Sequence, residues 1–115
     1  MRLTSDFFVA ALTRRVFSDG GFAAVVRRGA TEAGAIFVTT RNRMGEVALF
    51  GPAAQASYGE ERPSDRRFSR LLDGVDDDAV EARLAKEMRF DSDIWVIEIE
   101  PGKLPVDALL AIEEG

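Results

Sequence analysis

Glu98 and Glu100 are the side chains whose type and spacing come closest to a catalytic pair. They close the run Ile94–Glu100 (IWVIEIE), whose alternation and β-branched content predict a strand. Alternate strand residues share a face, so the two carboxylates stand about 7 Å apart on one side. That separation suits an acid–base pair of the kind that hydrolyses glycosides. The same pair could ligate a hard cation such as Mg²⁺. A plainer account makes both part of a solvated strand face with arginine partners on neighbouring strands. Ile94 and Val96 share their side, whereas Trp95, Ile97 and Ile99 take the other, toward a core.

Asp91 and Asp93 flank Ser92 just before that strand and could join the glutamates in one site. Turn chemistry accounts for them equally well. Arg27-Arg28-Gly29 falls where a strand meets a turn. Arginine forks beside a glycine with free backbone N–H groups could hold a phosphate or a nucleotide. The alternative is an exposed strand end whose glycine serves the turn. Asp76-Asp77-Asp78 lacks the alternating ligands, glycine and distal glutamate of a calcium loop, and reads as a helix start. Trp95 could line a pocket or anchor the core. Tyr58 could tip a recognition loop.

The chain has no histidine and no cysteine. Ser-His-Asp and Cys-His catalysis, zinc fingers and CxxC redox chemistry are therefore excluded. Phosphate loops of the GxxxxGK or GxGxxG type and the GxSxG elbow are also missing. No cofactor is expected. With 115 residues, 46% of them hydrophobic and eight of them Phe, the chain should form one domain over residues 1–115. The run Phe7–Leu12 is too short for a signal core or a membrane span. A cytoplasmic protein is expected, with no membrane contact.

Net charge is −5, but residues 1–45 carry +4 and residues 46–115 carry −9. The overall sign argues against nucleic acid as a partner, since that binding draws on many phosphate contacts. Thirteen of the fifteen bases are arginine, which favours geometric pairing with carboxylates or phosphates over diffuse attraction.

The elements that must position these groups follow from periodicity. Ser5 as N-cap and Val9, Leu12 and Val16 at helical spacing predict a helix over 5–17, stopped by Asp19-Gly20-Gly21. Strands are predicted over 22–28, 35–41 and 46–50, joined by short turns into an antiparallel meander. Residues 52–65 read as a loop. Residues 66–72 fit either strand or helix, and their parity leans to strand. Asp78 with Glu81 has the form of a capping box for a second helix, whose stripe is Val80, Leu84 and Met88. Residues 106–112 suggest a short terminal helix. The order α-β-β-β-(β)-α-β predicts an α+β sandwich: a mainly antiparallel sheet of four or five strands with two helices packed on one face. The other face would be left to solvent or a partner.

Three segments give the chain a family resemblance. They are the helix end Arg14-Arg15 followed by residues 21–29 (GFAAVVRRG), residues 33–38 (AGAIFV), and residues 89–100 (RFDSDIWVIEIE). In these the chain resembles the uncharacterised, mainly alphaproteobacterial domain of unknown function 1491 family. Ala30 replaces an acid and Ser92 a proline expected in that pattern. The resemblance implies a domain type and a bacterial cytosolic setting, with no catalytic residues to carry over. The leading expectation is a non-enzymatic binding or interaction module, possible as a homodimer through its uncovered sheet face. A carboxylate-dependent enzyme or metal-binding protein centred on Glu98 and Glu100, and anion binding at Arg27-Arg28-Gly29, are the alternatives.

Overall fold

The computed structural model describes residues 3–54 and 66–113. Tyr58 and most of the 52–65 loop lie outside the described residues. Helix α1 (Ser5–Ser18) leads into β1 (Phe22–Arg27), β2 (Ile36–Arg41), β3 (Val47–Pro52) and β4 (Arg67–Val75). Helix α2 (Asp77–Phe90), β5 (Trp95–Glu100), the single turn α3 (Val106–Leu109) and β6 (Ala111–Glu113) follow. Of residues 66–72, all but Arg66 therefore belong to a strand, as their parity favours.

The strands form one six-stranded sheet in the order β1-β5-β2-β3-β4-β6. The sheet is mixed: β5 runs parallel to β2 and β6 parallel to β4, while the other pairs are antiparallel. Three of the five pairings are antiparallel, as expected for most of the sheet, but it has six strands rather than four or five and two of its pairings are parallel. The meander is also interrupted, because β5 inserts between β1 and β2. Its composition explains the central place. Trp95, Ile97 and Ile99 on one side and Val96 on the other are all buried, and a strand apolar on both faces belongs inside a sheet. Residues 28–35 give β1 and β2 enough slack to part. Strand β6, three residues long, lies where a continuing helix was expected.

The two long helices lie on opposite faces, which corrects the prediction that both cover one side. Val9, Leu12 and Val16 of α1 pack with Ile36, Val38, Phe50, Phe68, Trp95, Ile97 and Ile99, together with Leu109 and Leu110 after α3. Val80 of α2, with half-buried Leu84 and Met88, packs with Phe37, Val47, Leu49, Ile94 and Val96. The physical reason is in the strands: Ile36-Phe37-Val38 and Val47-Ala48-Leu49-Phe50 are buried continuously, so both sheet faces need cover.

Helix α1 packs on β1 and β5, and α2 on β3 and β4. The α2-side surface of β1 and of the end of β5 is thereby left bare. Among the described residues no helix is long and apolar enough to cross a membrane.

Helix ends show which caps operate. Ser5 is the first helical residue, not the cap: it is buried and its hydroxyl donates to the Gly34 carbonyl at 2.6 Å. The N–H groups of Ser5 and Asp6 donate to the carbonyls of Glu32 and Thr31, so the β1–β2 loop satisfies this helix end. In α2 the cap is Asp76, two residues before the predicted Asp78, and its carboxylate accepts from the Ala79 N–H at 2.9 Å.

Candidate functional site

Glu98 and Glu100 stand on the bare α2-side surface near the end of β5, Glu98 half-buried and Glu100 exposed. Their backbone partners on β1 are Ala24 and Phe22. Arg41, at the end of β2, lies within their electrostatic reach. Its guanidinium donates to Asp77 at 2.7 Å. This bond first, and then the charges of Asp77, Glu98 and Glu100, hold the Arg41 pKa above its ordinary value. Asp91 and Asp93 belong to the opposite end of β5. Five residue steps separate Asp93 from Glu98, a span of about 16 Å, so the four acids do not form one site. The Asp91 carboxylate instead accepts from the Asp93 N–H at 2.9 Å, closing the turn. Among the described residues no group of three or more acids is placed to hold a metal ion.

The three residues Arg27-Arg28-Gly29 diverge. Arg27 sits opposite Val96 and donates to the Ser92 carbonyl at 2.7 Å. Arg28 turns to the α1 side, where its guanidinium lies 4.9 Å from the centroid of the Trp95 ring. Gly29 is there for close packing, since a Cβ would collide with the Asp93 carbonyl and the Ile94 backbone. The loop that carries it wraps the start of β5: Ala30 N–H donates to the Asp93 carbonyl at 3.0 Å. In return, the Trp95 indole N–H donates to the Ala30 carbonyl at 2.8 Å.

Two features at the β1 margin of the sheet have a recognition geometry. The first is the strand's open edge. Phe22 (49% exposed), Val25 and Val26 (62%) are exposed on β1 itself. Phe17, at the end of α1, meets Phe22 edge-to-face with centroids 5.7 Å apart. Four exposed large apolar side chains thus gather at the β1 margin, Phe22 on the α2 side with Glu100 and Val25 on the α1 side with Ile97. A β-bulge between Val25 and Arg27 limits the regular part of this edge to its first four residues. The second feature is a groove between α1 and β1, lined by Val9, Ala10, Val25 and Trp95 beneath Asp6, Thr13, Arg14 and Arg28.

The edge escaped sequence reasoning because an apolar FAAVV run looks the same on an inner or an outer strand. The groove's Trp95 and Arg28 were each singled out, but nothing in the chain order shows that they meet.

The model of the family described as a protein of unknown function (DUF1491) matches residues 3–105. The chain is similar to the solution structure of a protein from A. tumefaciens, at 48% identity and TM-score 0.85, covering 100% of this chain and 98% of that one. It is similar to the crystal structure of a DUF1491 family protein from Caulobacter crescentus CB15, at 32% identity and TM-score 0.74, over 98% of this chain and 99% of that one. An NMR structure of a DUF1491 family protein from the same organism gives 33% identity and TM-score 0.75, covering 98% of each chain. No curated protein matches.

Proposed function

The chain belongs to the DUF1491 family of proteins of unknown function, and we propose that it is a non-catalytic interaction module of the bacterial cytoplasm that pairs with a second copy of itself along β1. One observation carries the reading: β1 is an outer strand whose flank is apolar and exposed. An outer strand keeps a row of backbone N–H and C=O groups turned away from its sheet, and these template a further strand. Isologous pairing about a two-fold axis is the commonest way for one chain to use such an edge.

Charge supports the antiparallel arrangement. Arg27 and Arg28 mark one end of β1, and Asp19 and Glu100 lie beside the other. Antiparallel pairing sets the basic end of each copy against the acidic end of its partner. The bare α2-side surface beside β1 would then continue across the axis, so the uncovered sheet face still takes part in the contact.

Sedimentation equilibrium from micromolar to millimolar protein tests this. The wild type should dimerise with a dissociation constant that rises with salt, and Val26→Lys should be monomeric throughout. A monomeric wild type at millimolar concentration, or a dimer indifferent to Val26→Lys, would overturn it.

A further inference from the structure

We propose that the groove between α1 and β1 is a binding site for an amphipathic monocarboxylate, a single acid group on an aromatic or branched alkyl body. The site does not depend on β1 pairing. Its volume is about 380 Å³, in the range that takes a small organic ligand. Its walls are apolar: Val9 and Ala10 from α1, Val25 from β1, and the Trp95 ring. That ring cannot swing away, because it is buried and its N–H is held by the Ala30 carbonyl.

The acid end of the ligand is specified by Arg28. Its guanidinium lies over the Trp95 ring at 4.9 Å, a cation–π contact that holds the charge at the groove. Arg28 lines the groove, and the N–H fork of a guanidinium matches the two oxygens of a carboxylate. Arg14 adds a second cation at the rim. Within the described residues neither Arg14 nor Arg28 makes an ion pair. The one acid of the groove, Asp6, lies in the first turn of α1 and accepts from the Thr4 hydroxyl at 2.7 Å. The lining therefore carries two positive charges against one negative. One carboxylate would bring it to neutrality, whereas a phosphate dianion would face apolar walls that cannot solvate it.

The chain's single tryptophan is the natural reporter. The probe is 3-phenylpropionate, compared with its neutral amide and with inorganic phosphate. Trp95 fluorescence should change saturably with the acid, and the amide should bind at least about tenfold more weakly. Arg28→Gln should weaken the acid by about tenfold and leave the amide unchanged. Because that substitution also alters the indole's surroundings, the methyl NMR shifts of Val9 and Val25 provide a second readout. Ala10→Phe should fill the groove and abolish binding without touching a charge. The titration is repeated on Val26→Lys, so that loss of dimerisation and loss of ligand binding are told apart. No saturation at millimolar acid, equal binding of acid and amide, or competition by phosphate would each overturn the proposal.

Discussion

Helices α1 and α2 are both fourteen residues long, yet they cover the sheet very differently. Helix α1 buries Ser5, Val9, Leu12 and Val16, while α2 fully buries only Val80. The cluster beneath α1 holds fourteen buried residues of the described chain, against six beneath α2. The α1 face is thus the structural core, and α2 is a charged cover resting on β3 and β4. It carries the half-buried Arg83–Glu87 pair, 2.9 Å apart, beside the sheet. The contrast shows where recognition can be accommodated. The thick side can surround a groove without losing its core, and the thin side leaves β1 and the end of β5 uncovered.

The same substitution on each helix gives the strongest test of this contrast. Leu12→Ala should cost about 3–4 kcal/mol, because a fully packed side chain leaves a cavity. Leu84→Ala, at a half-buried site of α2, should cost about 1–2 kcal/mol. Urea denaturation measures both, and equal losses would abolish the distinction.

A smaller effect separates the helix starts. Asp76→Ala removes a bonded cap and should cost about 1 kcal/mol. Thr4→Ala should leave the denaturation midpoint nearly in place, since Thr4 caps no backbone N–H. The smallest effect is expected at the surface. Arg41→Gln breaks the exposed bond to Asp77 and should not move the midpoint measurably. Because the Arg41 pKa is raised, its interaction is complete below the ordinary guanidinium value and is lost only above the higher folded one. Stability should therefore stay flat across the neutral range as far as this pair is concerned.

Local chemistry made several of these elements legible. The Val9–Leu12–Val16 stripe marked α1, and IWVIEIE marked β5 and the parity of its residues, although the side of Ile94 and Val96, read as outward, is buried under α2 until Glu98. The three consecutive aspartates located the start of α2 but not the capping one, since each has an amide three residues on. Strand β6 was hidden because AIE is too short to show a period. Neighbour relations lay furthest out of reach. That β5 parts β1 from β2, and that Arg28 finds Trp95, depends on pairing between distant segments that no window of sequence contains. The continuous apolar runs of β2 and β3 did hold the evidence for cover on both faces, but the helix stripes say nothing of which side each helix takes.

The insertion of β5 has a consequence for biogenesis. The hydrogen-bonding neighbour of β1 is synthesised some seventy residues after it, so a nascent chain carries Phe22–Arg27 unsatisfied until β5 emerges. Such long-range closure slows folding and prolongs the exposure of a sticky segment. Chaperone dependence on the ribosome should therefore be greatest just before Trp95–Glu100 leaves the exit tunnel.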